Sequence, residues 1–149
     1  KLLAGWSNTF SYKNFDLNIF IRGVWGNKIF DATRADMFYV AGAASENNIA
    51  VDAANDKITD AKNSTYSTRF IENGSYVRLD NATLAYNFNN LGNYIHSVRI
   101  YATVNNLFVL TKYKGIDPEI TQGGISPGYD YHNFYPKTRT IVFGVNVSF

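Results

Sequence analysis

The residues best suited to touching a ligand lie in one unbroken stretch, Tyr129 to Tyr135. Sugar rings stack on aromatic faces, and sugar hydroxyls pair with Asp and Asn side chains. Tyr129, Asp130, Tyr131, Asn133 and Tyr135 therefore form a candidate substrate-binding set, with a glycan as the fitting ligand. Phe134 and His132 complete the cluster, and packing within a loop or contact with a second protein fits the same residues. Asp117-Pro118-Glu119 could offer oxygens to calcium, but two carboxylates fall well short of a full shell of about 6–8 oxygens, so a solvated turn is the simpler reading. Asp52, Asp56 and Asp60 recur every fourth residue, which places them on one helical face. A solvated face explains them better than a metal does. His96 and His132 are the two histidines, too far apart in the expected topology to act as a pair. Zero Cys excludes thiolate metal sites and cysteine nucleophiles. No nucleophile elbow, phosphate loop or paired catalytic carboxylates occur. The expectation is a non-enzyme with no metal and no cofactor.

What must position the aromatic stretch follows from composition and periodicity. The chain has 149 residues, 46% of them apolar and 17% charged, which is too apolar for disorder. A formal charge of +2 supplies no field for a polyanion, so nucleic acid is not an expected partner. The longest apolar run, Met37 to Ala44, is far below the roughly 18 residues of a membrane-spanning helix. Lys1 follows neither an initiator Met nor a signal peptide, which suggests a processed or excised piece.

The dominant period is two. Trp6, Phe10 and Tyr12 alternate with Ser7, Thr9 and Ser11. Phe15, Leu17, Ile19, Ile21 and Trp25 oppose Asp16, Asn18 and Arg22, with Phe20 and Val24 as exceptions. Val98, Ile100, Ala102, Val104 and Phe108 alternate with Arg99, Tyr101, Thr103 and Asn105. Ile141, Phe143, Val145, Val147 and Phe149 alternate with Thr140, Gly144, Asn146 and Ser148. In the segment from Tyr76 to Phe88 the apolar parity switches near Asp80-Asn81, as a β-bulge or a shifted register would make it. These segments are about twice the ~5–6 residues of an ordinary strand.

The connections alternate between short and long: Lys13-Asn14, then Asn27 to Thr65, then Asn89 to His96, then Thr111 to Lys137. Short periplasmic turns and long extracellular loops, joined by strands of about 9–11 residues, characterise transmembrane β-barrels. The expected fold is all-β: about five long antiparallel strands forming the C-terminal portion of a large transmembrane β-barrel. In this topology Phe10, Tyr12, Phe15, Tyr86, Phe88 and Phe149 gather at the periplasmic ends. Trp25, Phe30, Tyr76, Phe108 and Tyr113 gather at the other ends, giving two interfacial belts. Five strands do not close, and about eight is the minimum for a single-chain barrel.

Three blocks carry a family resemblance. Ser67 to Tyr86, STRFIENGSYVRLDNATLAY, resembles a signature near the C-terminus of the SusC/RagA family of TonB-linked outer-membrane transporters. Val98 to Ile120, VRIYATVNNLFVLTKYKGIDPEI, is similar to the family's next block, and YPKTRTIVFGVNVSF resembles its terminal strand. Ala85 stands where the family has Gly before the tyrosine. The resemblance covers Ser67 to Phe149, while Lys1 to Tyr66 matches only in style.

The resemblance implies a segment of a barrel of about 22 strands in the Gram-negative outer membrane, with the plug outside this chain. It implies import of glycans or peptides beneath a SusD-like surface lipoprotein, driven by the TonB complex acting on an N-terminal region not contained here. A homodimer of the full transporter is also implied. Phe143, Val145, Val147 and Phe149 resemble the signal read by the barrel-assembly machinery. Arg69, Glu72, Asn73 and Gly74 are expected to fix the start of a strand, with Gly74 in a positive-φ turn. The competing expectation is a soluble, secreted β-rich carbohydrate-binding module, which would bury Leu17, Ile19, Ile21, Val98, Ile100, Val145 and Val147 rather than turn them to lipid.

Overall fold

The computed structural model describes the chain except residues 40–47, 56–65, 90, 93, 121–127 and 132–134. It divides into two compact units, Lys1–Trp25 with Tyr76–Leu110 and Lys137–Phe149, and Gly26–Ser75 with Thr111–Pro136.

The first unit is one five-stranded sheet. Its strands are β1 (Leu2–Tyr12), β2 (Phe15–Trp25), β5 (Tyr76–Asn89), β6 (Ser97–Thr111, whose last residue falls in the second unit) and β8 (Thr140–Ser148), in the order β1-β2-β5-β6-β8. The alternating sequences are the cause, since alternation suits a pleat whose two faces meet different surroundings. Residues 13 and 14 form the hairpin turn between β1 and β2, with Lys13 in the left-handed region at φ 52°. The suspected parity switch is real. Phe20 pairs with Asn81 and Ile21 with Leu79, which leaves Asp80 as the extra residue of a bulge. Strand β6 runs beyond the expected Phe108 to Thr111, past a left-handed Asn106 at φ 52°.

Register assigns each face. Ile21 pairs with Trp6 on one side and Leu79 on the other, Leu17 likewise with Phe10 and Leu84, and Phe15 with Tyr12 and Tyr86. On β6 and β8, Val98, Ile100 and Ala102 face Val147, Val145 and Phe143. Leu17, Ile19, Ile21 and Val98 are half-buried by these neighbours, but Ile100, Val145 and Val147 remain 43%, 61% and 45% exposed. A sandwich would have covered them, so the soluble-module expectation does not match the fold.

The opposite face is a hydrogen-bonded polar surface. Asn18 Nδ2 donates to Thr9 Oγ1 (3.0 Å), Asn81 Nδ2 to Asn105 Oδ1 (2.8 Å), and the Thr83 and Thr103 hydroxyls pair at 2.9 Å. Asp16 accepts from Ser11 (2.8 Å), Asn87 (2.8 Å) and Arg99 (3.4 Å). Arg22 clamps Asp80 at 2.7 and 3.3 Å, so the bulge residue is held by charge. Buried Arg78 donates to Asn106, whose amide in turn donates to the Lys137 carbonyl at 2.6 Å. That chain of contacts pins the left-handed residue of β6.

The second unit holds structure where long loops were expected. Strands β3 (Lys28–Asp31), β4 (Ile71–Asn73) and β7 (Tyr129–Asp130) form a sheet in the order β4-β3-β7. Helices α1 (Ala32–Met37) and α2 (Val51–Ala54), with a 3-10 turn at Thr68–Phe70, surround a small core of Ala35, Phe38, Ala53 and Phe70. Glu72 and Asn73 do lie in a strand, but Gly74 is not in a positive-φ turn. Gly74 is needed for close approach instead. A Cβ there would come 2.4 Å from the Asn27 amide and 2.6 Å from Ile29 Cδ1. Phe30 and Tyr113, expected in a belt, also belong to this unit.

Candidate functional site

The aromatic site is assembled by one parallel strand pair. Phe30 pairs with Tyr129 and Asp31 with Asp130 across β3 and β7. Gly128 makes that pairing feasible: its φ is +84°, a Cβ would meet the Lys28 carbonyl oxygen at 2.7 Å, and its own carbonyl accepts from Phe30 N at 2.8 Å. Rings at paired positions stack, and the row extends on both sides. Phe30 lies 5.2 Å from Tyr129 (interplanar 23°) and 6.2 Å from Tyr66 (11°), and Tyr129 lies 5.6 Å from Tyr131 (27°). Tyr66 is 81% and Tyr131 51% exposed, so the row ends in open ring surface.

The candidate set is thus divided. Tyr129 and Tyr131 join the row, whereas exposed Tyr135 makes no ring contact with it. Asn133, with His132 and Phe134, lies outside the described residues. Asp130 turns inward, is 6% exposed, and accepts from the Tyr113 hydroxyl. Phe30 and Tyr66 were missed because nothing local marks them. Only the β3–β7 register joins Phe30 to a tyrosine some hundred residues later.

A charged frame supports the row's neighbourhood. Asp31 ends β3 and caps α1, accepting from Arg34 N at 2.8 Å. Arg34 donates to Asp52 at 2.7 Å and Glu72 at 3.1 Å, while the other Glu72 oxygen accepts from Lys114 N at 3.0 Å. The Asp52 bond raises the Arg34 pKa and lowers that of Asp52. Burial pushes the Asp31 carboxyl above its ordinary value. The Arg34 amide works against that, and the Asp130 and Glu72 charges reinforce it. Burial, then the bond to Asp130, raises the Tyr113 hydroxyl so that it stays a donor, and burial raises Tyr129 too.

Beside this frame opens a cleft of about 380 Å³, lined by Asp31, Thr33, Arg34, Met37, Lys114, Gly115, Ile116, Asp130 and Tyr131. Its walls are largely apolar and its lining includes four charged residues, Asp31, Arg34, Lys114 and Asp130, a composition suited to binding. Asp117 accepts from Glu119 N at 2.9 Å, which makes a turn, but Asp117 is buried rather than solvated as expected. Asp52 sits in α2, but Asp56 and Asp60 lie outside the described residues. Among the described residues no three His, Asp or Glu side chains converge to hold a metal ion. No described helix is long and apolar enough to cross a membrane, which says nothing of strands.

Long strands with one hydrogen-bonded polar face and one bare apolar face define part of the wall of a transmembrane β-barrel. The comparisons with known proteins agree. The chain is 33% identical over 158 residues to the TonB-dependent receptor SusC of Bacteroides thetaiotaomicron, covering 99% of the chain and 15% of that protein. It is 32% identical over 162 residues to the TonB-dependent receptor P3 of Formosa agariphila, covering 97% of the chain and 16% of that protein. Among solved structures it superposes on the RagAB peptide transporter with a TM-score of 0.72 at 27% identity, covering 97% of the chain and 17% of the matched one. No family model matches. The chain belongs to the SusC/RagA family of TonB-dependent receptors, whose members are outer-membrane β-barrel proteins. It spans about a sixth of the length of the relatives it matches.

Proposed function

We propose that this chain is the C-terminal wall segment of an outer-membrane importer that takes up glycans or peptides under TonB control. The observation that carries the reading is the 33% identity to SusC across 99% of the chain. The superposition on RagAB, a peptide transporter, supports an oligomeric nutrient as cargo. In this reading the barrel lies in the Gram-negative outer membrane with residues 27–65 and 111–137 on the extracellular side. The plug and the TonB-contacting region lie elsewhere in the full protein. A SusD-like surface lipoprotein covers the mouth, and the full transporter forms a dimer. The aromatic row at Tyr129 and Tyr131, with Tyr135 and the neighbouring Asp130 and Asn133, contacts the cargo. Phe143, Val145, Val147 and Phe149 share one exposed apolar stripe, suited both to lipid and to the barrel-assembly machinery.

The test is uptake of fluorescent oligosaccharides and oligopeptides by cells whose full-length receptor carries this segment. Entry of one class that stops when TonB is uncoupled is the expected result. Uptake unchanged by loss of the receptor contradicts the proposal.

A further inference from the structure

The cleft beside the aromatic row differs in chemistry from the row itself. Asp31 and Asp130 line it while being only 3% and 6% exposed, so they are its buried carboxylates. Met37, Ile116 and Tyr131, at 43%, 72% and 51% exposure, supply apolar and aromatic surface at its mouth. The local charge does not balance. Asp31, Asp130, Glu72 and Asp52 are four carboxylates, and Arg34 and Lys114 are two cations. Arg34 makes its close ion pairs with Asp52 and Glu72 and acts on Asp31 only as a nearby charge, and neither Arg34 nor Lys114 forms an ion pair with Asp31 or Asp130. A further cation would be welcome beside these two carboxylates, and an aliphatic stem or ring would suit the walls.

We propose that this cleft is a subsite for a cargo group carrying an ammonium on an apolar body, with Asp31 and Asp130 as its anion and Met37, Ile116 and Tyr131 as its walls. The inference rests on the importer reading and names the cargo chemistry for one part of it. Two cargoes carry such a group, a lysine side chain in a peptide and an amino sugar in a glycan. Buried charge-assisted hydrogen bonds outweigh neutral ones, so removing the positive charge from the ligand should cost about tenfold in affinity.

The experiment is calorimetric titration of the full-length receptor in detergent with four probes. These are a lysine-centred alanine pentapeptide, its Nε-acetylated form, a glucosamine trimer and its N-acetylated form. The expected result is that one ammonium probe binds about tenfold more tightly than its acetylated form, and which of the two does so identifies the source. The D31N/D130N double variant should abolish that ratio. Both substitutions keep their hydrogen-bond acceptors, for the α1 cap and for Tyr113, and a matched thermal transition verifies folding. As a second variant, M37K puts a cation at the exposed mouth and should weaken the ammonium probe alone. Equal binding of free and acetylated probes, no binding of either ammonium probe, or an unchanged ratio in both variants overturns the inference. Uptake measured in parallel separates the two levels. TonB-coupled entry of neutral oligomers without any ammonium preference removes only the cleft's assignment, whereas loss of all coupled entry removes the importer reading.

Discussion

The two units solve opposite problems. The second unit is organised like a small water-soluble globule, with Phe38 and Phe70 edge to face at 5.5 Å inside it and ion pairs around it. The five-stranded unit reverses this order. Its hydrogen-bonded groups line one face, and its largest apolar side chains, such as Phe143 at 80% exposure, stand uncovered on the other. Apolar area left open in water forfeits roughly 25 cal/mol per Å². The five-stranded unit therefore depends on a solvent that is itself apolar, and the second unit does not. The same contrast explains the aromatic residues. In the first unit Phe15, Tyr86 and Phe88 cluster at one end of the strands (4.7 and 4.6 Å), where amphipathic rings suit a membrane interface. In the second, Tyr66, Phe30, Tyr129 and Tyr131 stack in a row.

Substitutions can sharpen this contrast. The largest effect is expected from F70A, which opens a cavity in the only core cluster seen among the described residues. It should cost the second unit about 3–5 kcal/mol. Limited proteolysis should then cut within residues 26–75 while the barrel keeps its heat-modifiable migration on gels. Next comes I100R, which puts a charge on the bare face and should cost about 2–4 kcal/mol if the site lies near the bilayer midplane. The same charge in T103R should be tolerated, as read by the yield of folded receptor in the outer membrane. Y113F leaves Asp130 without its buried donor and should cost about 1–3 kcal/mol, measured as faster proteolysis of the second unit.

Smaller still is a pH effect. The Asp31 carboxyl has a raised pKa in the folded state, so the folded form holds its proton more strongly than the unfolded one. Its contribution is therefore full below the ordinary Asp range of about 3.9 and is lost as pH rises through the higher folded value. Asp52, with a lowered pKa, acts in the opposite sense: its contribution is present above that range and is lost on acidification. D31N should remove the first dependence and keep the second, seen in the second unit's protease resistance between acid and neutral pH. The smallest expected change is K13N, which puts a residue tolerant of the left-handed region at φ 52° and should stabilise the hairpin by under about 1 kcal/mol.

Legibility differed between the units for a physical reason. A pleated strand between polar and apolar surroundings prints its period on every residue, so β1, β2, β5, β6 and β8 could be read within a few residues of their ends. Even the bulge at Asp80 showed, because one extra residue inverts the parity. The second unit prints no such period. Its strands have four, three and two residues, and its helices six and four, too short for a pattern to emerge. The candidate cluster was half legible for the same reason. The tyrosines of 129–135 announce themselves, but their partners Phe30 and Tyr66 are brought by non-local pairing. Asp130 reads as a free polar contact until its burial against Tyr113 is seen.

The measurement that bears most directly on the wall is cysteine accessibility along β6 in the intact outer membrane. The chain contains no cysteine, so single replacements at residues 100 to 104 can be read one by one in a cysteine-free receptor. A membrane-impermeant maleimide should label Tyr101→Cys and Thr103→Cys, while Ile100→Cys, Ala102→Cys and Val104→Cys stay protected until a lipid-soluble reagent is used. Labelling without alternation, or protection of the polar pair alone, would contradict a wall with lipid on one side and water on the other.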